Sequence, residues 1–218
     1  MKKVKLNLKT IWLGGLVFLF PMLCYSQFSP TFQSASSSGK GNAEITPYYA
    51  NIGTGYEGER AQVFDNFGFQ LGVGITGRTE IRAKYDRFSV HEFEGGMNLF
   101  MIGPKFSTES GKFAVFIPIG SNFEKDMDAN WMTEPTFIFS PTLGENVNLN
   151  LSPSFLIPLS SDGSLDETFL KLNLGLAFQL NGGWTIRPEG GLMYYLQEIG
   201  DGHFYNFGLG VSKLLVAK

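Results

Sequence analysis

More than any other part of the sequence, the stretch from Gln62 to Phe88 restricts the folds that this chain can adopt. Between residues 63 and 75, apolar side chains occupy the odd positions, with Asp65 as the exception, and glycines and amides hold most even positions. A repeat of two residues is the signature of a β-strand with two unlike faces. The stretch therefore begins with a strand that has one bulky apolar face and one small polar face.

The second half of the stretch predicts a hairpin. Residues 76–79 read Thr-Gly-Arg-Thr, and Gly77 suits a tight turn because glycine adopts positive φ at little cost. The return strand again alternates. One of its faces is charged and carries Glu80, Arg82, Lys84 and Asp86.

Two classes of barrel fit such a hairpin. In a soluble sheet the apolar face packs inward and the polar face meets water. In a transmembrane barrel the apolar face meets lipid, and small or polar residues fill the lumen. A soluble, lipocalin-like barrel therefore remains the alternative at this point.

The rest of the chain contains further segments of the same kind and no convincing amphipathic helix. Ten strand candidates follow one another at 43–52, 62–75, 79–89, 97–106, 112–119, 132–141, 147–158, 168–180, 184–196 and 203–215. Their lengths suit tilted strands that cross a membrane, which need roughly 9–11 residues.

The connections between these strands favour the membrane class. Short turns (76–79, 107–111, 142–146 and 181–183) alternate with longer, acidic loops (53–61, 90–96, 120–131, 159–166 and 197–202). Short turns at one end and long loops at the other are typical of outer-membrane barrels. We therefore predict an all-β fold, an antiparallel up-and-down transmembrane β-barrel of about ten strands, with both termini in the periplasm.

The N-terminus has the features of an export signal. Residues 1–26 combine four lysines, an apolar run from Ile11 to Leu23, and small residues at Cys24 and Ser26, which predicts cleavage before Gln27. Lipidation of Cys24 is the alternative, although Leu23 is larger than the residue that usually precedes a lipidated cysteine. Residues 27–41 are polar and serine-rich, which predicts a flexible lead-in, and 42–218 would form the barrel in the outer membrane of a Gram-negative cell.

Charge and cysteine content exclude several functions. The signal contains four lysines and no acidic residue, so the net charge falls from −3 for the whole sequence to about −7 after cleavage. That balance argues against nucleic acid as a partner. The only cysteine is Cys24, so the mature chain would contain neither a disulfide nor a cysteine nucleophile.

Two further features bear on the barrel wall. Aromatic residues near the strand ends, among them Tyr48, Tyr49, Trp131 and Trp184, predict girdles at the membrane interfaces. Seven prolines fall in or next to strands, and proline removes a hydrogen-bond donor from the ladder. We therefore expect bulges or local gaps at Pro47, Pro104, Pro118, Pro135, Pro153, Pro158 and Pro188.

Several hairpins resemble those of the meta-pathway phenol-degradation family of outer-membrane proteins. The similarity runs from about Gln62 to Tyr195 and includes FGFQLGVGITGRTEIRAKYDRF, and a strand that ends in a proline–glycine rim at Ile117-Pro118-Ile119-Gly120. The resemblance implies a barrel and a role in the passage of small hydrophobic compounds. It implies no catalytic residue and no cofactor.

The charged faces form the candidate site. Glu80, Arg82, Lys84 and Asp86 share one strand, and Arg187 and Glu189 share another, so each run occupies a single face. If this face is luminal, the charges either form a selectivity or ligand-binding element or pair with one another as a structural plug. A barrel only slightly wider than eight strands has little free interior, which favours the plug.

Other chemistry has weak support. His91 and His203 occupy the long-loop end, but neither has a partner at catalytic spacing, so we do not expect an enzyme. Glu124, Asp126 and Asp128 lack the glycine and distal glutamate of a calcium loop, and we expect neither metal nor cofactor.

The expected function is passage or binding of a small hydrophobic solute across the outer membrane, whose lipid surrounds the wall. The alternative is a structural or surface-interaction barrel with a charge-plugged lumen and no transport. A hydrolase at the long-loop end is the third hypothesis.

Overall fold

The computed structural model describes residues 28–90, 95–123, 129–159, 167–199 and 202–217. These residues form one closed antiparallel barrel of ten strands, as predicted. The strands are β1 (Ala43–Tyr56), β2 (Glu59–Gly74), β3 (Thr79–Val90), β4 (Gly96–Ser107), β5 (Phe113–Phe116 and Ile119–Phe123), β6 (Asn130–Thr133, Thr136–Phe139 and Thr142–Gly144), β7 (Val147–Pro158), β8 (Phe169–Leu180), β9 (Trp184–Tyr195) and β10 (His203–Leu215).

The first and last strands close the barrel. Tyr48 of β1 lies opposite Gly68 of β2 on one side and opposite Gly210 of β10 on the other. Each remaining strand pairs with its neighbours in sequence, so the topology is up-and-down. The helical turns in the described ranges are too short and too polar to cross a membrane.

The two faces of the wall are arranged as in a membrane barrel. Phe67 of β2 and Phe207 of β10 point outward and are 59% and 67% exposed, whereas Asn66 and Glu80 point inward and are completely buried. An apolar outer surface and a polar interior are what lipid requires. The lipocalin-like alternative, which needs the reverse arrangement, is wrong.

The aromatic side chains divide between the two faces. Trp131 and Trp184 are exposed on the outer surface near opposite ends of the barrel, as the girdle prediction requires. Tyr48 turns inward instead and donates a hydrogen bond of 2.5 Å to Asp86 Oδ1. Its ring occupies the space beside Gly68, where an added Cβ would lie 2.0 Å from the ring carbons.

Local gaps in the strand pairing occur beside the prolines, as predicted, and at some prolines the strand itself is interrupted. β5 is interrupted at Ile117-Pro118, and β6 is interrupted at Glu134-Pro135 and again at Ser140-Pro141. β5 continues to Phe123, so Pro118 lies in the middle of a strand and not at a rim. Pro104 and Pro153 remain inside continuous strands, because each still pairs with a residue of one neighbouring strand.

The connection between β1 and β2 is shorter than the sequence suggests. The predicted loop at 53–61 is mostly strand, and the turn consists of Glu57 and Gly58, both with positive φ. Two such residues form the turn whose twist matches a hairpin. The hairpin therefore extends further than the other described strands at this end of the barrel.

The N-terminal segment, residues 28–38, lies inside the barrel. Phe28, Phe32 and Ala35 are almost completely buried, and backbone and side-chain groups from Ser29 to Ser38 have partners on the wall. The prediction of a flexible lead-in is therefore wrong for these residues. Serine and threonine are common in flexible segments, but here their polar groups satisfy the charges of the lumen.

Candidate functional site

The candidate site is the lumen, which is divided into three layers along the barrel axis. The odd-numbered strands end, and the even-numbered strands begin, at the end that carries the longer connections, here called the long-loop end. The opposite end carries the short turns and is called the short-turn end. An apolar layer lies towards the long-loop end, and two charged layers lie below it.

The apolar layer is a cluster of buried side chains from eight strands, with Phe28 of the N-terminal segment among them. Three of its members are methionines, whose flexible side chains adapt to irregular spaces. This apolar cluster consists of Phe28, Ile52, Phe64, Phe88, Leu99, Met101, Met132, Leu156, Phe169 and Met193.

The middle charged layer holds the first part of the N-terminal segment by its backbone. Glu189 accepts hydrogen bonds from the backbone N–H groups of Thr31 and Phe32. Lys84 donates to Pro30 O at 2.9 Å and to the Ser29 hydroxyl. Because most of these contacts involve backbone groups, the layer fixes the path of the segment's backbone more than the positions of its side chains.

Two further groups complete the middle layer. Lys171 Nζ lies 2.6 Å from Glu134 Oε1, and both residues are buried. The same ammonium group lies 5.6 Å from the centre of the Phe28 ring, within the range of a cation–π contact. Lys84 Nζ lies 3.6 Å from Asp86 Oδ2, which completes a second ion pair at this level.

The lower charged layer lies near the short-turn end and forms a connected network. Arg82 pairs with Glu44 and, at 3.0 Å, with Glu80. Lys105 Nζ lies 2.7 Å from Glu80, and Arg187 lies 3.1 Å from Glu44. Carboxylates and cations therefore alternate around the wall, which offsets the cost of burying them.

The lower layer also holds the second part of the N-terminal segment. Lys105 Nζ donates to Ser34 O and to Ser36 O, each at 2.9 Å. Ser38 N donates to Glu80 Oε2 at 2.9 Å, and Arg187 Nη1 donates to Ser34 Oγ at 2.7 Å. A pocket of about 250 Å³ opens to solvent beside these residues.

Charge is balanced in the two layers. The described lumen contains as many carboxylates as cations: Glu44, Glu80, Asp86, Glu134 and Glu189 against Arg82, Lys84, Lys105, Lys171 and Arg187. A balanced interior in which the charges bind each other and a segment of the same chain is a filled lumen. It is not the one-signed lining of an ion-selective pore.

The six charged residues singled out in the sequence all point into the lumen. Glu80, Arg82, Lys84 and Asp86 contribute to both layers, and Arg187 and Glu189 reach them from β9. Their proposed role in solute binding or selectivity remains a prediction.

Sequence reasoning missed four members of the charged layers. Glu44, Lys105 and Glu134 each lie within three residues of a proline, where the alternation is hard to follow. Lys171 was detectable, because it lies on the face of β8 that carries Asn173 and Gly175, opposite an unbroken run of leucines.

The histidine and calcium hypotheses receive no structural support. His91 and the acidic residues 124–128 lie outside the described residues. His203 lies beside aromatic rings, with its ring centre 5.8 Å from that of Tyr194 and 6.4 Å from that of Tyr205. Among the described residues, no group of three or more His, Cys, Asp or Glu side chains could hold a metal ion.

Comparison with known proteins places the chain among outer-membrane barrels by structure alone. No protein-family model matches the chain, and no curated protein matches it in sequence. The resemblance to the meta-pathway phenol-degradation family therefore remains a prediction.

Among solved structures, the COG4313 outer membrane channel from Pseudomonas putida F1 has a TM-score of 0.54 and 10% sequence identity, covering 87% of this chain and 100% of that one. The translocator domain of the autotransporter NalP from Neisseria meningitidis has a TM-score of 0.43 and 9% identity, covering 94% and 95%. Ail of Yersinia pestis has a TM-score of 0.38 and 14% identity, covering 81% and 99%. The chain has the fold of an outer-membrane β-barrel, which it shares with the COG4313 channel.

Proposed function

We propose that this barrel takes up a small hydrophobic solute at the long-loop end and binds it in the apolar cluster. The observation that carries the proposal is the composition of the lumen. Lumen-facing positions of outer-membrane barrels are usually polar. Here most buried side chains in the half nearest the long loops are apolar, with Asn122 and Asn206 as exceptions, and the charged layers begin only below this half.

The position of Phe28 supports the proposal. It is the one member of the cluster that does not belong to the wall, and its ring is completely enclosed. A wall that surrounds one apolar ring offers dispersion contacts and a dry environment to an apolar solute of similar size. The fold similarity to an outer membrane channel agrees with this role.

Uptake by intact cells tests the proposal. Lipopolysaccharide excludes the dye N-phenyl-1-naphthylamine, which fluoresces once it reaches apolar lipid. We expect cells that produce the barrel to take up the dye several-fold faster than cells without it. Exchanging Met101 and Met193 for glutamine should remove most of this gain. Each glutamine amide would lose its hydrogen bonds to water when an apolar solute binds beside it, and this cost weakens binding.

The matched control is Leu143→Gln, the same kind of change at an exposed residue of the short-turn end. It should leave uptake unchanged, and the faster migration of unheated protein in gels should confirm that every variant is folded. If the wild-type barrel does not raise uptake above that of cells lacking it, the proposal is wrong.

The filled lower lumen favours a second candidate, a structural or surface-interaction barrel without transport. Ten charged groups and the N-terminal segment occupy the space that a continuous pore would need. This candidate predicts that removing the gene alters surface integrity or adhesion while dye uptake stays the same.

A further inference from the structure

One sector of the wall, from β4 to β7, contains prolines at adjacent positions. The pairs Ile102–Ile119 and Lys105–Phe116 place Pro104 and Pro118 side by side on β4 and β5. The pairs on either side of the interruptions in β5 and β6, Phe116–Thr136 and Ile119–Thr133, place Pro118 next to Pro135 in the same way. Each proline removes one backbone donor from the ladder.

Few hydrogen bonds connect β5 and β6 across these interruptions. Pro118 O accepts a long bond of 3.4 Å from Glu134 N and a bond of 2.6 Å from Thr133 Oγ1. Between β1 and β2, by contrast, paired residues continue from Ala43 to Tyr56 with one bulge. At these interruptions the ladder between β5 and β6, here called the β5–β6 seam, is therefore weaker than the ladder between β1 and β2.

Two glycines lie on the luminal side of the wall beside the seam, where β4 and β5 approach each other closely. Gly103 and Gly120 occupy inward positions there, and an added Cβ at either would lie about 2 Å from a carbonyl oxygen of the neighbouring strand. Gly120 pairs with Met101 on one side and with Met132 on the other. Because both methionines belong to the apolar cluster, the seam adjoins the proposed solute site directly.

An apolar groove lies on the lipid side of the same sector. It has a volume of about 510 Å³ and is lined mainly by side chains of β4 to β7, including Phe106, Phe113, Val115, Phe137, Leu151 and Pro153. Phe137 and Pro153 are close to the proline interruptions, so the groove begins where the seam reaches the outer surface.

A hydrophobic solute in the apolar cluster has two directions in which to leave. Towards the short-turn end it would have to separate buried ion pairs and displace residues 29–38, which would leave buried charges uncompensated. Sideways, it would pass from one apolar environment to another, beside the Glu134–Lys171 ion pair and not through it.

We propose that the solute leaves laterally through the β5–β6 seam, enters the groove and passes into the lipid of the inner leaflet. This inference rests on the proposed function, because it concerns the route of the same solute. Residues 29–38 and the charged layers then stay in place during uptake, and no aqueous pore opens to the periplasm.

A reversible disulfide across the seam tests the route. Ile119 and Thr133 lie directly opposite each other and flank the interruption, so cysteines at both positions are close enough to form a disulfide. The control pair is Tyr85→Cys with Phe100→Cys, which also lie directly opposite each other with outward side chains, but on β3 and β4. Both pairs are introduced into a chain with Cys24→Ser.

Uptake of N-phenyl-1-naphthylamine is then measured in oxidised cells and again after dithiothreitol. We expect the oxidised 119–133 pair to lose most of the uptake and the reductant to restore it, while the 85–100 pair behaves alike in both states. Equal uptake by the oxidised and reduced 119–133 pair would overturn the lateral route and leave the proposed function standing. Absence of uptake in the wild-type barrel itself would overturn both.

Discussion

At the scale of single residues, the stability of the barrel depends on charged side chains that are buried in the lumen. Lys171 is completely buried and pairs with Glu134 at 2.6 Å. Removing one partner of a buried ion pair leaves an uncompensated charge, whereas removing both often costs little. The pair should therefore be strongly coupled in a double-mutant cycle.

Lys171→Met should lower the free energy of unfolding by about 3–5 kcal/mol, because Glu134 would remain charged and buried. Lys171→Met combined with Glu134→Gln should recover much of that loss. Urea unfolding of the barrel in lipid vesicles measures both effects. The control is Arg78→Met, which breaks the exposed Arg78–Glu109 pair and should cost at most about 1 kcal/mol. A loss in the double variant equal to the sum of the losses in Lys171→Met and Glu134→Gln alone would show that the pair is not coupled.

Glu189 has a different task, because its carboxylate accepts two backbone N–H groups of the N-terminal segment. Glu189→Gln keeps the shape of the side chain but turns one acceptor into a donor that faces Thr31 N or Phe32 N. Hydrogen bonds to charged groups contribute about 1.5–3 kcal/mol each. The amides of residues 31 and 32 should therefore exchange with deuterium roughly tenfold faster or more.

Hydrogen-exchange mass spectrometry in micelles checks this expectation on an N-terminal peptide. Glu109→Gln, at an exposed position of the short-turn end, serves as the control and should leave that peptide unaffected. Unchanged protection in Glu189→Gln would mean that the wall holds the segment without this carboxylate.

At the scale of elements, the N-terminal segment fills the lumen but takes no part in the hydrogen-bonded ladder that closes the wall. The bonds that close the barrel run between β1 and β10 and begin at Ala43, beyond the segment. The segment instead fills the centre of both charged layers. Its removal should open the lumen without opening the wall.

Deletion of residues 28–38 should therefore leave a folded barrel that conducts small ions, because water would hydrate the charges the segment now contacts. Recordings from planar bilayers should show discrete conductance steps for the deletion variant and a closed state for the wild type. Phe28→Ala is the matched control, since it keeps the backbone that plugs the charged layers. If the deletion variant is folded but remains closed, the loops or the wall side chains must seal the lumen.

At the scale of the whole molecule, the fold was predictable because it repeats a simple pattern. Alternation such as that from Val63 to Ile75 recurs along the chain, and lipid and lumen demand opposite side chains at successive positions. The course of the N-terminal segment was not predictable. Its partners are far away in sequence, as with Phe32 and Glu189, and a polar segment without periodicity carries no sign of which groups will satisfy it.

The same pattern predicts the orientation of the molecule in the membrane. An even number of strands places the N-terminal and C-terminal ends of the barrel at the short-turn end. Outer-membrane barrels have short periplasmic turns and longer extracellular loops. The turn at Glu57 should therefore face the outside, and the turn at Ser110 should face the periplasm.

Single cysteines at these two turns test the orientation in a chain that also carries Cys24→Ser. Both positions are exposed at the tip of a hairpin, so they differ mainly in the end of the barrel they mark. A membrane-impermeant maleimide applied to intact cells should label Glu57→Cys and spare Ser110→Cys, and both should react after the cells are opened. The reverse labelling would place the apolar cluster at the periplasmic end, and a solute arriving from outside would then meet the charged layers first.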